Sequence, residues 1–129
     1  MRAVRFHAAK DIRLEDVPPP SDDLAPDDVL VEPFCTGICG TDLHEYIAGP
    51  IVTPTEPHVY TGASNPQILG HEFSARVAKI GSGVENIAVG DRVSIQPLVS
   101  PRHDYYGKRG LYHLSPQLGC IGLSWAWGG

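Results

Sequence analysis

The sequence predicts a mainly β domain, folded as a barrel or sandwich of short strands. Two observations support this: no segment keeps a 3.6-residue apolar period, and several short β-branched runs are separated by turn signals. With 14 glycines and 12 prolines among 129 residues, turns are frequent, and the length suits one domain with one core. Many short strands joined by turns are typical of small β barrels and sandwiches.

Turn residues and prolines mark where each predicted strand begins and ends. Residues 8–11 form a turn between the first two strands, and three prolines from Pro18 then end their pairing because proline donates no N–H. Pro33 lies inside the third strand, which predicts an edge position or a bulge. Glycines close the fourth strand and open the fifth. The predicted strands are Met1 to Phe6, Ile12 to Val17, Asp28 to Thr36, Phe73 to Ile80 and Asp91 to Ile95.

One short helix is predicted from about Thr41 to Ile47, with Thr41 or Asp42 near its N-terminus. A long loop rich in proline, threonine and glycine follows, from Ala48 to Pro66. Long loops without regular structure usually serve function. We therefore expect this loop to help form the entrance to a site.

The end of the chain is apolar, aromatic and rich in glycine, with tryptophans at positions 125 and 127. Such residues usually contact a partner or another part of the chain. We therefore expect the sequence to be part of a longer protein, and the alternative is a mobile tail.

Composition argues against several classes of protein. The net charge is −5, and lysines and arginines are scattered, so no nucleic-acid partner is expected. No apolar run reaches the roughly 18 residues of a membrane span, and the N-terminus lacks the apolar stretch of a signal peptide. Three irregularly spaced cysteines do not make a disulfide framework. A cytoplasmic protein without a membrane partner is the simplest expectation.

Two short motifs carry the residues suited to chemistry. The first, Gly37 to His44, offers the Cys39 thiol, a hydroxyl, a carboxylate and an imidazole; the second is Leu69 to Glu72, with His71 and Glu72 side by side. Cysteine and histidine are preferred zinc ligands, and carboxylate oxygen is a common further donor. Ligands on separate loops, without a C-x-x-C pair, are typical of a catalytic zinc rather than a structural one.

Four blocks in series resemble the zinc-dependent medium-chain alcohol and polyol dehydrogenases. The resemblance covers nearly all of residues 1–129 and implies their N-terminal catalytic domain, a GroES-like, partly open barrel with short helices. It also implies that the Rossmann domain lies beyond residue 129. One position departs from the pattern, since Ala75 stands where many members have glycine. The matching blocks are Gly37 to His44, Leu69 to Glu72, Ile80 to Val84 and Val89 to Val93.

A narrower resemblance is to the 2,3-butanediol dehydrogenases, carried by the Ala48 to Pro66 loop and by Gly110 to Leu123. Most family members hold a structural zinc with four cysteines after the position of Val93, but here only Cys120 follows. The structural zinc is therefore predicted to be absent. Apolar packing is expected to hold this segment instead, through Leu111, Leu114, Leu118 and Leu123.

The resemblance assigns the metal-site roles. Cys39 and His71 are zinc ligands, and the helix N-terminus stabilises a thiolate. Glu72 is an exchanging ligand that also takes part in catalysis. Asp42 is expected to orient His71, since zinc-bound imidazoles usually donate their other N–H to an oxygen. The alternatives are a buried cysteine, a hydrogen-bonded core histidine and, for Asp42, a helix cap.

Thr41 and His44 are the candidate proton path, because a hydroxyl can pass on a proton and histidine titrates near neutrality. The alternative for His44 is an exposed helical histidine. Cys35 is expected to be buried by strand alternation. Structural or surface roles are expected for His7, His58, His103 and His113.

The resemblance implies an enzyme that oxidises a secondary alcohol or vicinal diol, such as 2,3-butanediol, with hydride transfer to NAD or NADP. Zinc would act as a Lewis acid. The chain lacks a G-x-G-x-x-G strand–turn–helix unit, so the nucleotide and a third protein ligand are expected to be bound mainly beyond residue 129. The chain alone is expected to be inactive, and the full-length enzyme to be a homo-oligomer. Alternatives are a metal-binding or pseudoenzyme module without turnover, or another substrate such as sorbitol or threonine.

Overall fold

The computed structural model describes residues 1–129. Its regular elements are eight strands, one α-helix and two single turns of 3-10 helix, at 107–109 and 112–114. The mainly β prediction is confirmed. Each predicted strand is present, and its observed ends lie within two residues of the predicted ends. The elements are β1 (Arg2–Ala8), β2 (Asp11–Asp16), β3 (Val29–Gly37), α1 (Gly40–Ala48), β4 (Gln67–Ile68), β5 (Glu72–Ile80), β6 (Arg92–Ser94), β7 (Leu98–Val99) and β8 (Gly119–Cys120).

The strands form three small antiparallel sheets, ordered β2-β1-β4, β3-β5-β6 and β7-β8. β1 and β2 make a hairpin whose turn contains Lys10 at φ 61°. The Lys10 N–H donates to the carbonyl of Tyr46 in α1 at 2.7 Å, so the hairpin turn is tied to the helix. The open sheets and the short helix match the predicted partly open barrel.

Pro33 lies where the sequence places it. β3 is the edge strand of its sheet, and its pairing with β5 shifts register between Pro33 and Cys35. Both predicted consequences of this proline are confirmed. One expectation is wrong: Cys35 is exposed rather than buried. Every residue of β3 from Glu32 to Gly37 is exposed, so neither face of this end of the strand is covered and alternation does not bury the side chain.

The core lies on one face of β5. Along this strand Phe73, Ala75 and Val77 are buried, while the residues between them face solvent. This is the period of two expected for a half-buried strand. Phe6 from β1 and Leu123 from the C-terminal region are buried as well. The small Ala75, at 0 % exposure, lies at the centre of this strand.

The region from Gln96 to Ser124 is not held as predicted. Leu111 and Leu114 are 40 % and 51 % exposed, because the two turns of 3-10 helix place them on the surface, so the expected leucine packing is wrong at these positions. The Asp104 carboxylate ties the region together instead. It accepts a 2.6 Å hydrogen bond from the Ser115 hydroxyl and a 2.5 Å bond from the Gly107 N–H.

The bond from Ser115, followed by that from the Gly107 N–H, lowers the pKa of Asp104 below its usual 3.8. Because the folded-state pKa is lowered, this contribution to stability is present above the unfolded value and is lost as the pH falls through the folded value. We expect Asp104→Asn to speed hydrogen exchange around residues 104–115 several-fold at neutral pH. It should also remove the acid-dependent part of that exchange. Exchange measured by mass spectrometry between pH 2.5 and 7 checks this, and equal pH dependence in both proteins would contradict it.

The C-terminal residues pack against the rest of the chain. Trp125 and Trp127 are half-buried, and the Gly129 N–H donates to the Gly70 carbonyl at 2.9 Å. The stretch is therefore ordered rather than a mobile tail. The one α-helix has nine residues, which is too short to cross a bilayer.

Candidate metal centre

Cys39 lies where β3 gives way to α1. It is the N-cap residue of the helix, and its N–H donates to Asp42 Oδ2 at 2.9 Å. Its carbonyl accepts the Leu43 N–H at 3.3 Å. The thiol therefore sits at the positive end of the helix dipole, where a negative sulfur is stabilised.

His71 and Glu72 lie where β5 begins. His71 is 9 % exposed, and Glu72 pairs across the sheet with Gly37 of β3. A Cβ atom placed on Gly37 would lie 3.2 Å from Glu72 Oε2, so the glycine leaves room for this carboxylate. Gly70, which directly precedes His71, has φ 115°, a conformation that a residue with a side chain rarely adopts.

The two segments converge. One possible ligand atom from each of Cys39, His71 and Glu72 lies within 4.8 Å of the other two. Sulfur, imidazole nitrogen and carboxylate oxygen are the donor types that zinc takes. The three residues predicted from the sequence as metal ligands thus form a donor set that fits a zinc ion.

Asp42 connects the two segments. Its Oδ2 holds the Cys39 N–H, and its Oδ1 lies 3.5 Å from Nδ1 of His71. Both Oδ1 and Nδ1 are buried and have no other hydrogen-bond partner. The separation is longer than a normal hydrogen bond, but a small rotation of either side chain would close it. The carboxylate is therefore aimed at the imidazole.

Thr41 and His44 lie on the first two turns of α1. The Thr41 hydroxyl is 3.7 Å from the Cys39 sulfur, so it lies beside the donor set. His44 is exposed. Residues three apart on a helix are neighbours on its surface, so the two side chains lead from the site toward solvent.

A family profile described as the alcohol dehydrogenase GroES-like domain matches residues 25–129. The chain belongs to this family. The predicted resemblance to the zinc-dependent medium-chain alcohol dehydrogenases is therefore confirmed at the level of the family, together with the GroES-like fold.

Individual proteins that are similar to this chain are also dehydrogenases. The (R,R)-butanediol dehydrogenase of Bacillus subtilis strain 168 is 43% identical over 130 residues, covering 100% of this chain and 36% of that protein. The sorbitol dehydrogenase of Gallus gallus is 40% identical over 116 residues, 90% of this chain and 30% of that protein. The crystal structure of 2R,3R-butanediol dehydrogenase from Bacillus subtilis superposes with a TM-score of 0.87, covering 99% of this chain and 35% of that one. The chain thus spans about a third of these relatives.

One buried polar residue of this alcohol dehydrogenase domain was not predicted from the sequence. Glu45 of α1 is fully buried. Its carboxylate accepts hydrogen bonds from the Ile51 and Val52 N–H groups, at 3.0 Å and 2.5 Å, and from the Thr53 hydroxyl at 2.7 Å. No positional signal distinguishes it from an exposed helical glutamate. Only Pro50, which forces the chain to turn directly after the helix, hints that the following N–H groups need a partner.

Cys120 is influenced by the charges of the candidate metal centre. Burial, and then the negative charges of Asp42 and Cys39, raise the pKa of its thiol to about 11. The residue therefore lies within electrostatic range of the donor set. It stays protonated at neutral pH.

We expect Cys120 of the domain to resist alkylation while the exposed Cys35 reacts. A pKa of about 11 instead of 9.0 lowers the thiolate fraction of Cys120 about 100-fold below pH 9, and only the thiolate reacts. Iodoacetamide labelling at pH 8, read by peptide mass spectrometry, checks this. Equal labelling of the two cysteines in the folded protein would contradict it.

Proposed function

We propose that residues 1–129 are the catalytic-domain portion of a zinc-dependent dehydrogenase that oxidises a secondary alcohol or vicinal diol, with hydride transfer to NAD or NADP. The observation that carries the proposal is the convergence of Cys39, His71 and Glu72 within 4.8 Å. In this proposal these three residues hold one zinc ion, and the nucleotide is bound mainly by parts of the protein outside this chain. A third lasting protein ligand is expected there as well.

Asp42 is proposed to position His71. Nδ1 of His71 faces the Asp42 carboxylate, which leaves Nε2 as the ring nitrogen for the metal. A carboxylate partner fixes the tautomer and orientation of a ligating imidazole. The same Asp42 holds the Cys39 backbone, so one side chain would set the placement of two ligands. Zinc, when bound, would withdraw electron density from an alcohol oxygen and make its proton easier to remove.

Thr41 and His44 are proposed to move that proton. The Thr41 hydroxyl lies beside the Cys39 sulfur and can both accept and donate a proton. His44, one helical turn on and exposed, can release it to water. Glu72 is the most exposed of the three donors, which suits a ligand that exchanges during turnover.

The substrate class rests on the relatives. Two (R,R)-butanediol dehydrogenases are each 43% identical over the full chain, and a vicinal diol is therefore the first candidate. Sorbitol dehydrogenases, at 36–40% identity, favour a longer polyol as the second. The long loop following α1 is proposed to form part of the substrate entrance.

The full-length protein is expected to oxidise 2,3-butanediol with a kcat/KM at least about tenfold above that for ethanol. A site built to hydrogen-bond a second hydroxyl strongly rejects an alcohol that lacks it, because the polar groups of the site are then left without a partner. Initial rates with the butanediol stereoisomers, sorbitol, threonine and ethanol, each with NAD and with NADP, measure this.

Each outcome of the screen is informative. A higher kcat/KM for ethanol than for 2,3-butanediol would reject the diol assignment. A higher kcat/KM for sorbitol than for 2,3-butanediol would favour the second candidate substrate class, the longer polyols. A zinc-loaded protein inactive on every alcohol would favour a binding module without turnover. Val89→Thr, a change at a 61 % exposed side chain outside the long loop, is the matched control and should behave as wild type.

A further inference from the structure

The long loop, residues 49–66, contains no helix or strand, yet its tip is tightly built. Nδ1 of His58 accepts the N–H groups of Tyr60 and Thr61 at 3.3 Å and 3.2 Å. The Gly62 N–H donates to the His58 carbonyl at 2.8 Å, and the His58 N–H donates to the Ala63 carbonyl at 2.9 Å. The tip is therefore a closed turn organised around one imidazole.

Two side chains of this tip reach across to residues 118–124. Nε2 of His58 donates to the Leu118 carbonyl at 3.2 Å, since Nδ1 is the acceptor in this ring. The Thr61 hydroxyl donates to the Ser124 carbonyl at 2.6 Å. These bonds join parts of the chain about 60 residues apart. We call this pair of contacts the latch.

The loop tip packs against Gly119, where the absence of a side chain leaves room for it. A Cβ atom on Gly119 would lie 2.8 Å from Thr61 Cγ2 and 3.5 Å from His58 Cε1. A side chain at this position would push the loop away. The glycine thus allows the tip to lie directly on the backbone of β8.

Residues 118–124 in turn contact the candidate metal centre. Gly122 has φ 77° and lies so close to Gly70 that a Cβ atom would collide with the Gly70 carbonyl. Gly70 directly precedes the donor His71. Burial, and then the charges of Asp42 and Cys39, raise the pKa of Cys120 in the same segment, which agrees with this contact. The order in space is loop tip, residues 118–124, metal centre.

We propose that His58 and Thr61 are positioning residues, which fasten the long loop to residues 118–124 and thereby fix one wall of the proposed substrate entrance, here called the cleft. The inference rests on the proposed function. It concerns the cleft and not the metal, because neither residue is among the donors that converge at the centre. Loosening the latch should therefore weaken substrate binding and leave metal binding intact.

The test uses four variants of the full-length protein. Thr61→Val removes the hydroxyl at nearly constant shape, and Thr61→Ser restores it. In His58→Asn the amide oxygen replaces Nδ1 in the turn but cannot reach Leu118, whereas in His58→Gln the amide nitrogen replaces Nε2 and the turn acceptor is lost. Hydrogen exchange of peptides spanning residues 55–66, zinc content, kcat and KM are measured for each, with the exposed Val89→Thr as control.

Thr61→Val removes the partly buried bond to the Ser124 carbonyl and also the acceptor of the Ala63 N–H at 3.2 Å. It is expected to speed exchange of the loop about tenfold. KM for the best alcohol should rise about 3- to 30-fold with kcat within about twofold, which is the signature of lost binding rather than lost chemistry. Zinc content should not change, and Thr61→Ser should recover KM. His58→Asn should raise KM as Thr61→Val does, and His58→Gln should raise it less.

Unchanged loop exchange in Thr61→Val would overturn the latch. Faster exchange with an unchanged KM would overturn its role in the cleft, and so would a loss of zinc together with kcat. Failure of the proposed diol activity is a separate result, because the exchange measurement does not depend on substrate. In that case KM is read with whichever alcohol the wild-type protein oxidises.

Discussion

His71→Ala is expected to abolish zinc binding and dehydrogenase activity in the full-length protein. The imidazole supplies the nitrogen donor of the proposed site. Its loss leaves Cys39 and the ligand expected outside residues 1–129 as the two lasting donors, where a catalytic zinc normally has three. The wild-type protein should hold one zinc per chain, since the cysteines of a second, structural site are missing. Elemental analysis and titration calorimetry with a competing chelator measure the stoichiometry and the affinity.

His58→Ala is the matched control, because its ring bonds only to its own turn and to the Leu118 carbonyl. It should keep the metal. Asp42→Asn should weaken affinity by about 10–100-fold, the usual effect of losing a partner of a ligating histidine. The 129-residue chain by itself should bind zinc weakly and show no turnover. Unchanged zinc affinity in His71→Ala, or two tightly held zinc ions per wild-type chain, would show that the proposed metal site is wrong.

The second large effect is expected at Glu45. Glu45→Ala removes a fully buried carboxylate that satisfies two backbone N–H groups and the Thr53 hydroxyl. Buried donors left without an acceptor cost about 1–3 kcal/mol each. We expect a loss of about 3–5 kcal/mol in the free energy of unfolding of this domain, among the larger effects of a single substitution. Urea denaturation of the full-length protein, followed at the transition of this domain, measures it.

Two further variants make the Glu45 experiment specific. Glu45→Gln keeps one acceptor oxygen but turns an NH₂ group toward a donor, so its effect should be intermediate. Glu56→Ala changes an exposed glutamate in the loop that Glu45 contacts. It should shift the free energy of unfolding by less than about 0.5 kcal/mol. Equal stability of the Glu45→Ala and Glu56→Ala proteins would mean that the buried carboxylate does not hold the loop.

The strands and the metal donors could be predicted because their signals are local. Alternation along Phe73 to Val77 and the glycine turns mark the strands. A cysteine at a helix start and a His-Glu pair are uncommon residue types in distinctive places. Their convergence depends on the pairing of β3 with β5, which brings Gly37 opposite Glu72. Spacing in the sequence does not encode that register, so the donor types could predict that the two motifs meet but not which residues pair.

The failures share a physical cause, which is that tertiary contacts decide whether a side chain is buried. Glu45 has the sequence pattern of an exposed helical residue, and its three partners are created by the turn that follows the helix. Leu111 and Leu114 were expected to pack, but a pair of short 3-10 turns exposes them, and the Asp104–Ser115 bond holds the region. At Cys35 no other part of the chain covers either face of the end of β3, so strand alternation did not bury the side chain.

The contact between Gly70 and Gly122 also limits how this protein can vary. Both positions have positive φ and leave no room for a Cβ atom, so a random library that includes them would consist mostly of misfolded members. The exposed loop positions Ile51, Val52 and Val59 carry no such restriction on their side chains. An effort to change which alcohol is accepted should therefore diversify these three sites and keep the two glycines constant.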